Sequence, residues 1–316
     1  MSKKRKLKKS AKLSLLLIIA LIIGSIYGVK FYKDYKYKQT YEYKLLQINY
    51  TLDETKVLTK YLVDSQLDEI LKTQANPNIV KFISEKYFIY KNLDRYLKYI
   101  EKNEEVNYSD VISMVNVNRD RDYYTDIISS KVEDGKLLLV NKYHNLSSDY
   151  EPENIIKTSA TYSYAGNSLN EETYNAYKNL AEEAKTVGHT ILIISSYRTY
   201  SSQDELWNER KSLYGTRKAD SYAARAGHSE HQSGYAVDVG DFYDVNDKFG
   251  ETESFTWMID NAHKFGFILR YPKDKEEITG YSYEPWHYRY VGKDTALKIY
   301  NEKITFDEYH AYYLEK

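Results

Sequence analysis

The sequence predicts an α+β fold: a single mainly antiparallel sheet with flanking helices, preceded by a small helical region and an N-terminal transmembrane helix. Three observations predict it. An uncharged, largely apolar run over residues 13–29 follows a basic head. Between residues 52 and 99, short stretches carry apolar side chains at helical spacing. Beyond residue 170, amphipathic helical stretches alternate with short apolar runs of strand length. The length of 316 residues allows a core-bearing domain of roughly 150 residues and a smaller unit.

Composition excludes several chemistries. There is no cysteine, so disulfides, lipid-modified cysteine and thiolate nucleophiles are ruled out, and any metal must be held by His and carboxylate. Setting aside the seven Lys and Arg of residues 1–12 leaves 38 basic against 46 acidic residues. That acidic remainder gives no electrostatic case for nucleic acid. The 36 tyrosines are read as compositional bias rather than as a functional signal.

Residues 1–12 form a cytoplasmic basic head and 13–29 a transmembrane signal anchor. Seventeen residues rising about 1.5 Å each just cross a bilayer core. The Lys/Arg excess keeps the N-terminus in the cytoplasm and sends the rest outside, giving a single-pass cell-membrane protein whose remaining chain is extracytoplasmic. A cleaved signal peptide has the same layout, but no Ala-x-Ala pattern occurs, and Lys30, Phe31 and Tyr32 resemble an interfacial belt. Residues 30–45 read as a stalk and 46–105 as a small helical region, with amphipathic stretches at 53–62, 65–71, 79–90 and 93–99. The region is expected to serve as a spacer or as a cell-wall-binding module.

Residues 111–117 and 136–140 read as lead-in strands, and His144 as a surface loop residue. Asn170 caps a helix over 171–187, Gly188 ends it, and 190–195 is a buried strand. Ser202 to Glu205 is a capping box opening a helix to about Tyr214. Strands follow at 235–239, 267–270 and 286–291, with a helix capped by Ser254 and stopped by Gly266. Thr305 to Glu308 is a second capping box. His189, His263 and His310 fall on helix ends or faces and are expected at the surface.

Two separated stretches carry the chemistry. Gly227 to Asp238 contributes His231 and Asp238, which converge if the chain turns at Gly234 and a strand follows. Glu284 to Arg289 contributes His287, with Glu284 three residues before it. Two imidazoles and a carboxylate suit one Zn²⁺ ion, and a nearby glutamate can handle protons. Pro285 rules out a regular helix at Glu284, and no His-Glu-x-x-His motif occurs. Arg198, directly after a strand, could stabilise an oxyanion or hold a substrate carboxylate. Its alternative is an ordinary ion pair. His228 reads as a pocket-edge residue, not a fourth ligand.

The pattern Ser229-x-His231-x-x-Gly234-x-Ala236-x-Asp238, followed by Glu284-x-Trp286-His287-x-Arg289, resembles the signature of VanY-type D-alanyl-D-alanine carboxypeptidases. Ser196 to Thr199 with Gln203 resembles a third block of that family. The resemblance implies a zinc carboxypeptidase domain within 106–316 that removes terminal D-alanine from peptidoglycan stem peptides. It implies His231, Asp238 and His287 as ligands of one zinc ion, Glu284 as catalytic base and Arg198 near the scissile carbonyl. Gln203 and Ser229 become candidates for holding the terminal residue. L,D-carboxypeptidase or D,D-endopeptidase activity, and a non-catalytic cell-wall-binding role, are the alternatives. No protein partner is indicated.

Overall fold

The computed structural model describes residues 9–103, 105–241 and 246–315, so most of the basic head lies outside the described residues. It divides into two compact units, at Leu93 and Asp94.

In the first unit a single helix runs over Lys9–Lys38, and its segment Ala11–Lys38 is long and apolar enough to cross a membrane. Leu16, Ile18 and Ile22 on it are exposed, so no protein core accounts for their apolarity. Residues 33–45 contain neither Gly nor Pro, and the helix continues through them until Thr40 caps the next one, Tyr41–Gln47. Helices Leu52–Tyr61, Asp64–Ile70 and Pro77–Ile83 follow. Leu45, Leu58, Leu67, Ile79 and Phe82 are buried among them.

The second unit differs from expectation at its start. Residues 111–117 are not a strand: a helix spans Tyr108–Asn116, capped by the Asn107 side chain on the Asp110 amide. Val111, Ile112 and Val115 all face inward, a spacing that suits one helix face. Nor is 136–140 a strand. A 3-10 turn occupies Val132–Leu137, and the carbonyls of Lys136 and Leu138 accept hydrogen bonds from Arg289 Nη2 instead of from a neighbouring strand.

Among the described residues the sheet structure comprises three pieces rather than one sheet. Ile128–Ser129 pairs in parallel with His144–Asn145, and Ile155–Lys157 pairs antiparallel with Ser168–Asn170. The main sheet is antiparallel throughout and contains β1 (Leu192–Ser195), β2 (Ala236–Gly240), β3 (Phe267–Leu269) and β4 (His287–Tyr290), in the order β1-β2-β4-β3. Strand alternation divides its two faces. Val237, Val239, Tyr288 and Tyr290 join Tyr177, Leu180 and Ala184 of the helix Glu171–Thr186 in the main core. Asp238 and His287 alternate with them and so face the other way.

Two caps differ from the sequence reading. The helix Tyr200–Tyr214 is capped by Thr199, which accepts from the Ser202 amide, so Ser202 lies inside it. Thr252 caps Glu253–Asn261, leaving Ser254 within the first turn. The Thr305 capping box is present as read: the Thr305 amide donates to Glu308 Oε2 at 2.7 Å, and the Glu308 amide donates to Thr305 Oγ1 at 3.2 Å. Thr305→Ala is expected to cost about 1 kcal/mol in urea unfolding, because both bonds are buried and one loses its acceptor.

Three histidines expected at the surface are buried. His144 and His310 each face the Glu315 carboxylate, at 3.3 and 3.2 Å. His263 stacks on Tyr300 with ring centroids 3.8 Å apart. His189 is half-buried beside Trp257.

Candidate metal centre

The first stretch reaches the site through a short 3-10 turn, Glu230–Ser233, closed by Gly234 at φ 76°. A Cβ on Gly234 would stand 2.6 Å from Ile155 Cδ1, and its left-handed backbone disfavours side chains, so glycine is required for the reversal into β2. Asp238 then lies in the middle of β2, paired in register with His287 on β4 and Ser195 on β1. Pairing brings the fifty-residue-distant motifs together.

The donor atoms converge. His231 Nε2 is 3.3 Å from Asp238 Oδ2, and His287 Nδ1 is 3.1 Å from Asp238 Oδ1. The two imidazoles meet edge to face, with centroids 5.0 Å apart, and the three ligand atoms lie within 4.8 Å of one another. The outer nitrogens fix the tautomers. His231 Nδ1 donates to the Ser196 carbonyl at 2.7 Å, which leaves Nε2 with its lone pair turned inward. Likewise His287 Nε2 faces Glu230 Oε2 at 3.4 Å, and Nδ1 turns to the centre. Ligands about 2.0–2.1 Å from a tetrahedral zinc stand roughly 3.3 Å apart, and each imidazole lies about that far from one oxygen of Asp238, His231 from Oδ2 and His287 from Oδ1. The donor set and spacing therefore fit zinc.

Electrostatics point the same way. Burial opposes the charged form of Asp238, but His231 and His287 beside it hold its carboxyl well below the usual range. Burial would lower His287, yet acceptance by Asp238 and Glu230 raises it to about 9. A proton on His287 thus supplies positive charge where a cation would otherwise sit. Glu284, its Oε2 3.8 Å from His287 Nδ1, is raised to about 8, first by burial and then by the Asp238 and Glu230 carboxylates.

All seven predicted site residues line one cavity of about 240 Å³: His231, Asp238, His287, Glu284, Arg198, Gln203 and Ser229. Among the described residues Arg198 forms no ion pair there. Its Nη1 donates to Gln203 Oε1 at 2.7 Å and its Nη2 to Ser195 Oγ at 2.9 Å. Gln203 Nε2 is tied to the Ala224 carbonyl at 2.7 Å, so the guanidinium is braced at the pocket wall. His228 does not line the cavity. It is buried against Tyr124, and its Nδ1 contacts the Asn141 carbonyl at 2.8 Å.

Sequence reading missed the support behind His287. Glu230 is 1% exposed and accepts from Arg270 Nε at 2.8 Å and Arg289 Nη1 at 3.0 Å. Arg270 also pairs with buried Asp307 at 2.6 Å, which accepts from Asn141 Nδ2 at 2.7 Å. Two guanidinium groups thus face two carboxylates inside the protein. Burial would raise Glu230, but Arg270 and Arg289 keep it well below its usual value and so ionised. The signal was its place between Ser229 and His231, where a glutamate in an otherwise uncharged stretch needs a buried partner. Tyr271, Tyr281 and Trp286, with Leu206 and Arg210, also line the cavity.

Comparison with known proteins identifies the family. Residues 166–293 match the family model described as VanY, D-alanyl-D-alanine carboxypeptidase. YodJ of Bacillus subtilis (strain 168) is 40% identical over 180 residues, covering 55% of this chain and 66% of that protein. The bifunctional D-Ala-D-Ala dipeptidase and D-Ala-D-Ala carboxypeptidase VanXYC of Enterococcus gallinarum is 36% identical over 181 residues, covering 56% of this chain and 94% of that protein. The structure of the LdcB LD-carboxypeptidase is similar with a TM-score of 0.56 at 37% identity, covering 60% of this chain and 91% of that one. The chain thus spans about two thirds of the length of YodJ and nearly all of VanXYC. With its two motifs meeting in one pocket, the chain belongs to the VanY family of D-alanyl-D-alanine carboxypeptidases.

Proposed function

We propose that this protein is a zinc D,D-carboxypeptidase that removes the terminal D-alanine from peptidoglycan stem peptides. The observation that carries the reading is the convergence of His231, Asp238 and His287 on one point, with Glu284 and Arg198 in the same cavity. When bound, zinc supplies Lewis acidity that acidifies water and polarises a carbonyl. Glu284 receives the proton from the attacking water and returns it to the leaving amine. A positive charge at the triad favours its ionised form against the effect of burial. Arg198, held by Gln203 and Ser195, presents a guanidinium to the negative charge of the substrate, on its terminal carboxylate or on the oxyanion. Ser229 and Gln203 shape the subsite for the terminal residue.

The kinship with the LdcB LD-carboxypeptidase favours a second reading, removal of D-alanine from tetrapeptide stems by the same machinery. Mass spectrometry of pentapeptide and tetrapeptide muropeptides after incubation separates the two. Loss of one alanine from the pentapeptide supports the D,D reading; loss from the tetrapeptide alone replaces it with the L,D reading.

Zinc has its own expected result. Restoring zinc to chelator-treated protein raises its stability by about 2.7 kcal/mol at a hundredfold excess over Kd. An unchanged thermal midpoint and no bound zinc by elemental analysis would remove zinc from the site. The helix Lys9–Lys38 serves in this reading as an uncleaved anchor that holds the enzyme on the outer side of the cell membrane. Recovery of the protein in a soluble extracellular fraction would replace the anchor with a signal sequence.

A further inference from the structure

The helix Tyr200–Tyr214 runs along the metal-centre cavity and lends it Gln203, Leu206 and Arg210. This spacing puts the three side chains on one helical face. Gln203 is committed to Arg198 and to the Ala224 carbonyl. Arg210 stands two turns further on, about 10.5 Å along the helix axis.

Arg210 is half-buried, and among the described residues it makes no ion pair or hydrogen bond. The sequence explains why. Its helical neighbours three and four positions away are Leu206, Trp207, Leu213 and Tyr214, so no carboxylate on its own helix is placed to pair with it. The carboxylates that line the cavity are engaged elsewhere. Glu230 is held by Arg270 and Arg289, while Asp238 and Glu284 stand beside His287 at the metal centre. A guanidinium in the wall of a binding cavity with its donors unused is suited to receive a carboxylate, which it can take through two parallel hydrogen bonds.

We propose that Arg210 sets substrate preference by receiving a carboxylate of the stem peptide upstream of the scissile bond. The inference rests on the hydrolytic reading of the site, in which the terminal residue lies by Arg198, Gln203 and Ser229. An extended chain advances about 3.3–3.6 Å per residue, so the two turns from Gln203 to Arg210 match about three residues of peptide. The group received is therefore an upstream one and not the terminal carboxylate. Two stem carboxylates can stand at that distance, one on a γ-linked D-glutamyl residue and one on a diaminopimelyl residue. Amidation of the first, or lysine in place of the second, removes the charge.

The test uses the full zinc-loaded chain in lipid nanodiscs and four pentapeptides, which combine a free or amidated D-glutamyl carboxylate with diaminopimelate or lysine. Calorimetry in the Glu284→Gln background reads binding apart from turnover, and the wild type gives kcat and KM. One of the two carboxylates should tighten Kd and lower KM roughly three- to tenfold, and the pair of peptides that differ there tells which. Arg210→Gln should bring that ratio near one, Arg210→Lys should keep part of it, and Arg210→Glu should reverse it. All three replacements are good helix formers, so the helix is kept. A binding preference that depends on Arg210 in a protein without turnover would support Arg210 and count against hydrolysis alone. Equal affinity for all four peptides, no binding of any, or an Arg210→Gln loss that falls equally on all four would each overturn the proposal.

Discussion

Glu284→Gln is expected to lower turnover of a D-alanyl-terminated muropeptide by about 10²–10⁴-fold while zinc stays bound. The amide keeps the shape of the carboxyl and leaves His231, Asp238 and His287 untouched, but it cannot take a proton from water. The effect should fall on kcat rather than KM, since Glu284 is asked to act on the attacking water and the leaving amine. Single-turnover rates and zinc content, measured on the same preparation, check it. Zinc-loaded protein with undiminished turnover would show that another group moves the proton.

Glu230→Ala is expected to have the largest effect on stability, about 3–5 kcal/mol in urea unfolding. It removes the acceptor shared by Arg270 and Arg289, leaving Arg270 with Asp307 alone and the buried Arg289 with backbone carbonyls only. Glu230→Gln is the gentler probe. It keeps an oxygen toward Arg270, but its neutral amide no longer draws on His287 Nε2, so zinc affinity should fall about 10- to 100-fold. A competition titration with a chromogenic chelator measures this. Unchanged affinity in a folded Glu230→Gln protein would mean that β4 alone orients His287.

Much of the site was legible because its parts are fixed in sequence: a glycine turn leading to Asp238, and a Glu-x-x-His segment barred from a helix by Pro285. Glu230 escaped because motif spacing records which positions repeat, not which partners lie behind them. Arg270 is 40 residues away from Glu230 and Asp307 a further 37, and nothing local connects the three. The helix Tyr108–Asn116 was missed for a different reason. Its β-branched Val111, Ile112 and Val115 favour a strand, while the Asn107 cap and the inward face decide for a helix. The buried histidines follow the same pattern. His144 and His310 are drawn inside by one carboxylate near the C-terminus, Glu315, which no periodicity places beside them.

Asp238 and His287 are brought opposite each other by strand pairing. The separation of the two donors is therefore set by a ladder of backbone hydrogen bonds and is indifferent to how much chain lies between them. Insertions between β2 and β4 could lengthen or reshape the excursion without moving a ligand, provided the pairing holds. A slip of one residue along the ladder would instead turn His287 to the opposite face and replace it with Tyr288 or Trp286. The protein thus has an elastic region in sequence wrapped around a rigid gauge in space. Relatives with longer or shorter intervening segments could carry different substrate walls on the same unmoved centre.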